Sequence, residues 1–371
     1  MTGATSASTG DGDTPTFVTS DKAILAGSAV LTVLAGVADY GHWTAVVAFV
    51  VSAGAVCLLA SLVGRSVEQL GDRFGPGATG VLQSALGNLP ELFICIFALR
   101  AGLVDVVRAA LVGSILANLL LVLGLAFVVG GLRHGTQQLG SERARTIVVL
   151  MLLSVAAMAI PSLAHWLHTP ADPHEKTFSV IVSVLLLTLF ALSLPFSLRR
   201  SETDEGGSDK QPTGREAPRW PVWLAVALLA AAGAAAAFVS DWFVHALQPA
   251  MDSLSVNQTF AGLVVVAIAG NAIENVVGVQ LAAADESAYA FSVILNSPIQ
   301  IALVLAPLLV LISQVFGLAS LTLVLSPMLV VVLLLAVILA AFIAFDGEST
   351  WIEGASLIVL YGIVATAFWW G

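Results

Sequence analysis

Glu91 and Glu274 each stand three residues after an asparagine inside a long apolar run, as Gly87-Asn88-Leu89-Pro90-Glu91 and Gly270-Asn271-Ala272-Ile273-Glu274. Both stretches fit Gly-Asn-x-x-Glu. They lie 183 positions apart, and the same step carries Ser114 onto Ser297. A charge at the centre of a membrane helix costs about 2.5–3.5 kcal/mol on insertion scales, so two such acids mark an ion or proton site rather than a packing choice. Other polar residues share their faces. Ser84, Asn88 and Glu91 fall at i, i+4 and i+7, and Ser114 and Asn118 at i and i+4. In the second half Asn271 and Glu274 are at i and i+3 with Asn275 adjacent, and Ser297 precedes Gln300 by three, with Asn296 beside it. If these stripes face one another, they enclose two carboxylates within a ring of amide and hydroxyl oxygens. Hard oxygens suit Ca²⁺, which takes about six to eight of them in flexible geometry. They suit zinc and copper poorly, and none of the six histidines lies in the stripes. Burial and mutual repulsion favour the protonated acids when no metal is present. Protons and a divalent cation then compete for the same oxygens, which is a mechanism for exchanging one for the other.

The elements that hold these residues are spans of a bilayer. Of the 371 residues 58% are hydrophobic and only 10% charged, against about 25% charged in a soluble domain. Apolar runs of roughly 20 residues read as helices, because lipid offers the backbone no water to bond. Eleven are expected, at 23–40, 43–64, 77–100, 103–131, 145–165, 178–198, 221–246, 257–283, 287–316, 324–345 and 353–370. The domains follow: a disordered tail over 1–22, a leading helix and first repeat over 23–200, a polar linker over 201–219, and a second repeat over 220–371. The linker opens acidic (Glu202, Asp204, Glu205, Asp209) and closes basic (Lys210, Arg215, Arg219); it is too polar to span. All 14 Lys and Arg lie at or before Arg219. Ten of them fall in the loops after spans 2, 4 and 6, against Arg100, Arg108 and Lys176 on the opposite side. That bias predicts a cytoplasmic N-terminus and an external C-terminus. Spans 2–6 and 7–11 number five each, so equivalent positions enter the membrane from opposite sides. The fold class is an all-α polytopic membrane protein, one helix plus two inverted five-helix repeats, with the site where the repeats meet. Gly87, Pro90 and Gly270 can break the helices beside the acids and free carbonyls as further ligands. Cys57 and Cys95 read as small buried hydrophobes. No basic patch points to nucleic acid, and no His-Glu-x-x-His motif points to a zinc enzyme.

At these residues the chain resembles the calcium/cation antiporter superfamily, and within it the cation/proton exchanger branch. The stretches that carry the resemblance are Gly87 to Leu99, Gly113 to Gly124, Gly270 to Glu274 and Ser297 to Leu311, with a further likeness at Asp346 to Ala355. The resemblance implies eleven helices, inverted repeats, and exchange of a cation, calcium first, for protons across the membrane. It implies that Glu91 and Glu274 bind cation and protons, with Asn88, Asn271, Ser114, Ser297, Gln300 and Asn118 as neighbours in the site. Its partners are inorganic cations, protons and the lipid bilayer of the cell membrane, and no cofactor is expected beyond the transported ions. Three positions depart from that branch. Asn275 stands where it usually has His, the first motif reads Leu-Pro-Glu as in sodium/calcium exchangers, and span 9 opens Asn296-Ser297-Pro298. Sodium-coupled or sodium/proton exchange on the same scaffold is therefore the alternative, with an uncoupled ion channel behind it.

Overall fold

The computed structural model describes residues 17–74, 86–204 and 219–370, with the backbone alone for 72–74, 141–144, 195–204 and 272–275. The chain is almost wholly helical. In order, α1 is Thr19–Tyr40, α2 Ala45–Phe74, α3 Leu89–Arg100, α4 Val104–Leu116, α5 Leu123–His134, α6 Ser141–Trp166 and α7 Glu175–Asp204. The second half holds α8 Val222–Leu254, α9 Gln258–Phe260, α10 Ala267–Gly270, α11 Ala272–Ala283, α12 Ser287–Gln300, α13 Ala306–Val315, α14 Pro327–Asp346 and α15 Trp351–Trp369. Short strands β1 (Gln137–Gln138) and β2 (Glu348–Ser349) pair antiparallel. Among the described residues nine helices are long and apolar enough to cross a membrane. Two of them, Val104–His134 and Ser287–Val315, each contain a π-helical segment, at Ala117–Val122 and Ile301–Leu305. The expected spans 77–100 and 257–283 are interrupted instead. The first turns at Gly87–Asn88 before α3, and the second breaks between α10 and α11.

Several boundaries differ from the sequence expectation. α1 begins at Thr19, inside the stretch read as a tail. Asp21 accepts from the Val18 N–H at 3.4 Å and pairs with Arg65 at 3.9 Å, so polar residues start this helix before the apolar run does. α2 continues ten residues past 64, because polar side chains take over from the apolar run: Glu68 is exposed and pairs with Arg65 at 3.6 Å, and the buried Gln69 is taken up by backbone donors. α7 likewise runs to Asp204, into the polar stretch that begins at 201.

The loops sort onto two faces. On one, Ala319 N donates to Leu99 O, the Arg108 guanidinium reaches Thr322 Oγ1 at 2.8 Å, and Thr322 donates to Glu175. His245 meets Asp39 at 3.7 Å, and Asn257 Nδ2 caps the Phe368 carbonyl at 2.7 Å on that face. On the other face β1 pairs with β2, His134 Nε2 meets Ala283 O at 3.1 Å, and Gln69 Oε1 accepts from the Arg219 and Trp220 N–H groups. Thus α2 runs from the first face to the second and its counterpart α8 from the second to the first. The two halves are inverted with respect to each other. Their backbones correspond closely. The 183-position step carries α3 onto α11 end for end, Ala117–Val122 onto the region of Ile301–Leu305, and the left-handed Gly102 (φ 80°) onto the left-handed Asp285 (φ 67°).

α2 and α8 pack side by side, and α4 crosses the π segment Ala261–Val266 at the centre. Two glycines make that crossing possible. A methyl on Gly113 would overlap the Leu263 carbonyl, and one on Gly262 would overlap the Val106 carbonyl. The helices therefore meet backbone to backbone, the contact that small residues permit in lipid.

Candidate functional site

Both breaks present the same device. Asn88 (φ −94°, ψ 18°) and Asn271 (φ −106°, ψ 14°) leave the helical path and stand at the head of α3 and α11. Pro90 suits the first turn of α3, since its missing N–H would be unpaired there anyway. The acids Glu91 and Glu274 are each the third residue of the new helix. The free N–H groups and positive end of a helix favour negative charge at that place. The asparagines lie at turns rather than within the continuous helical stripes read from spacing, and the breaks aim both helix starts at the middle of the molecule.

Glu91 is buried at 1% exposure and accepts a short 2.5 Å hydrogen bond from Ser114 Oγ of α4. α10 sits directly on this acid: a β-carbon at Gly270 would lie 3.5 Å from Glu91 Cβ and Cγ. Across the centre Ser297 Oγ donates to Asn271 Oδ1 at 3.3 Å. The Asn118 amide, fully buried in the first π segment, donates to Ser114 O at 2.9 Å, Ser297 Oγ at 3.4 Å and Asn271 Oδ1 at 3.5 Å. Its own Oδ1 has no hydrogen-bond partner among the described residues. Asn271 Nδ2 is anchored on the Ala267 carbonyl at 3.0 Å. Gln300 Oε1 accepts from Asn88 Nδ2 at 3.3 Å.

Seven of the eight residues singled out from sequence, Asn88, Glu91, Ser114, Asn118, Asn271, Ser297 and Gln300, are thus brought together. The backbone of Glu274 stands at the head of α11, while its side chain and that of Asn275 lie outside the described residues, as does Ser84. Among the described residues no three His, Cys, Asp or Glu side chains cluster as a metal site. The oxygens gathered here are a carboxylate, amides and hydroxyls. Sequence reasoning missed one neighbour. Cys57, read as a small hydrophobe, is half-buried, and its thiol donates to the Ala269 carbonyl beside the second break at 3.3 Å. Its place near the middle of α2 was the available signal.

The two halves close differently around this centre. α11 packs broadly against α5, and Gly278 lets Ile294 press onto α11. The counterpart pair, α3 and α13, touches much less. A cleft lined by Asn88, Leu89, Leu92, Gln300, Val304 and Leu308 opens between them, on the side of the first face. Asn88 is half-buried there, whereas Asn118 and Asn271 are buried.

The chain matches the family described as sodium/calcium exchanger protein over residues 44–199 and 224–370, one stretch in each half. It is 34% identical over 359 residues, 91% of this chain and 96% of the relative, to the Ca(2+)/H(+) antiporter of Synechocystis sp.. It is 33% identical to the Ca(2+)/H(+) antiporter ChaA of Bacillus subtilis, over 88% of this chain and 93% of the relative. Among solved structures it is similar to native YfkE, with a TM-score of 0.79 and 30% identity over 94% of this chain and all of that one. The H+/Ca2+ exchanger CAX shares the fold at a TM-score of 0.74 and 15% identity, over 94% of this chain and 92% of that one.

Proposed function

The chain belongs to the sodium/calcium exchanger protein family, and from that premise we propose that it is an integral membrane antiporter exchanging Ca²⁺ for protons by alternating access. The observation that carries this reading is a carboxylate buried at 1% exposure that accepts from Ser114 where two broken helices begin, within a ring of amide and hydroxyl oxygens. Relatives named as Ca(2+)/H(+) antiporters, at 32–34% identity over most of the chain, favour protons over sodium as the coupling ion.

In this reading Glu91 and Glu274 carry the cation's charge, and Asn88, Asn271, Ser114, Ser297, Gln300 and Asn118 complete or orient the oxygen cage. The unpartnered Asn118 Oδ1 supports it, since a buried acceptor without a donor is costly unless a cation takes the place of one. The cycle follows from charge. With Ca²⁺ bound, the two carboxylates are neutralised. With protons bound, they are neutral again. The empty, doubly charged site is expensive to carry through an apolar interior, so the conformational change favours the two loaded forms. Proton binding on one face expels Ca²⁺, and Ca²⁺ on the other expels protons.

The protein resides in the cell membrane with the N-terminus cytoplasmic, which assigns the cleft to the external face and the β1–β2 pair to the cytoplasmic one; the excess of Lys and Arg in the loops of that side supports this. The stretch 201–219 is the cytoplasmic connection between the repeats, and the residues before α1 are a polar tail. The test is transport in proteoliposomes bearing a pH gradient, with Ca²⁺, Mn²⁺, Mg²⁺, Na⁺ and K⁺ added separately. Collapse of the gradient by Ca²⁺ without Na⁺ is expected; collapse by Na⁺ alone would overturn calcium/proton exchange in favour of a monovalent guest.

A further inference from the structure

α2 and α8 are counterparts in the inverted repeat, yet they treat the two helix breaks differently. Cys57 of α2 donates its thiol to the Ala269 carbonyl, at the end of α10 where helical pairing is interrupted. The 183-position step carries Cys57 onto Ser240 of α8, and Ala269 onto Leu86, the residue before the Gly87–Asn88 turn. Ser240 is wholly buried, and its hydroxyl has no hydrogen-bond partner among the described residues. Buried hydroxyls are rarely left so, and a mid-helix serine usually bonds the carbonyl one turn back when nothing better is offered. What comes against the head of α3 instead is Gly233, with Leu89 Cδ1 at 4.0 Å from the position of its β-carbon. Gly233 lies two helical turns before Ser240, about 10 Å along α8. The break that α2 ties precedes α11, which packs broadly against α5. The break that α8 leaves untied carries Asn88, which lines the open cleft.

We infer that Cys57 and Ser240 are a repeat-related pair of positioning residues that tie the two helix breaks in alternation. Cys57 holds Ala269 while the site faces the cleft. Ser240 takes the Leu86 carbonyl, and Cys57 lets go, when the site faces the opposite side. Neither side chain touches the ion; each acts through the backbone that presents an asparagine and a glutamate to it. A thiol and a hydroxyl suit the task, because each is one small donor that can leave one carbonyl for another surrounding without an ionised group being stranded.

The inference rests on the exchange reading, and two measurements separate their failures. The first is Ca²⁺ KM at each face, in proteoliposomes of both orientations, for the full chain and for Cys57→Ala, Cys57→Ser and Ser240→Ala. Loss of one hydrogen bond shifts the facing equilibrium by about fivefold. Cys57→Ala raises KM by up to that factor at the cleft face and lowers it at the other, because apparent affinity scales with the fraction of protein facing the ion. Ser240→Ala does the reverse, and Cys57→Ser, which keeps a donor, restores the original values. Shifts in the same direction for Cys57→Ala and Ser240→Ala, or a Cys57→Ser indistinguishable from Cys57→Ala, would overturn the pairing. The second needs no transport. With Cys95 replaced by Ala, the rate at which N-ethylmaleimide labels Cys57 is followed with and without Ser240→Ala. Slower labelling in Ser240→Ala is expected, since that variant favours the tied state; an unchanged rate overturns the pairing. A chain that fails to exchange Ca²⁺ under any gradient removes the exchange reading, while the labelling still decides the pairing.

Discussion

In the first half, Glu91 takes the hydroxyl of Ser114; in the second, Ser297 gives its hydroxyl to Asn271. The two segments that present these residues coincide in backbone from α3 and α11 to the left-handed residues at 102 and 285. The named ligands coincide in type at Asn88 and Asn271, Glu91 and Glu274, and Ser114 and Ser297, and part at one further amide in each half. The first half supplies its amide at Asn118, whose counterpart is Ile301, and the second supplies its amide at Gln300, whose counterpart is Ala117. Each amide then reaches into the other half. Asn118 bonds Asn271 and Ser297, and Gln300 bonds Asn88. The halves are two copies of one frame that share Asn, Glu and Ser at matching positions and differ in where each adds its further amide, and those two amides interlock them.

The largest effect should come from the acid itself. Removing one charged partner from a buried charged site costs about 2–5 kcal/mol, so Glu91→Gln should lower proton-driven Ca²⁺ uptake by at least about 30-fold while the protein still elutes as a folded species. Glu274→Gln should do the same; full activity in either variant breaks the two-carboxylate site. Next come the close approaches. Gly113→Ala drives a methyl into the Leu263 backbone, and overpacking of this kind costs about 1–3 kcal/mol. It should lower the apparent Tm in detergent and the folded yield. Gly270→Ala meets only ordinary contacts at 3.5 Å from Glu91, so it should keep the Tm and change Ca²⁺ affinity. The serines sharpen the comparison directly. A bond to a carboxylate is worth about 1.5–3 kcal/mol and one between neutral groups about 1, so Ser114→Ala should weaken Ca²⁺ KM by roughly tenfold or more and Ser297→Ala by about fivefold. Equal effects would mean the halves hold the ion alike. The smallest is a double-mutant cycle on Asn88→Ala and Gln300→Ala, with a coupling of about 0.5–1 kcal/mol in Ca²⁺ affinity.

Much of this was legible before any coordinates. Apolar run length fixed the order of the spans, and the step from Glu91 to Glu274 and from Ser114 to Ser297 marked the repeat, because both signals survive in composition and spacing. The breaks were legible as Gly87, Pro90 and Gly270. What spacing could not reveal is how a stripe ends. Asn88 and Asn271 match a helical face by count, but they sit at turns, since a glycine and a proline beside them make leaving the helix inexpensive. The π segments left no trace, because an apolar run reads the same whether each turn holds one residue more or fewer. The reach of Asn118 and Gln300 across the repeat is a long-range contact with no local pattern. Cys57 was hidden by its type: a thiol in an apolar run is ordinarily packing, and only the proximity of Ala269 O gives it a partner.

A π turn is how a helix accommodates a single extra residue without losing its direction. Ala117–Val122 and Ile301–Leu305 occupy matching places in two segments that share few side chains. The irregularity therefore belongs to the repeated frame and not to either half's ligands: it recurs where the residues at its start, Asn118 against Ile301 and Ala117 against Gln300, do not match. It falls in the helix just after each serine, so the same offset in the backbone serves an amide from within the turn in one half and from the residue before it in the other.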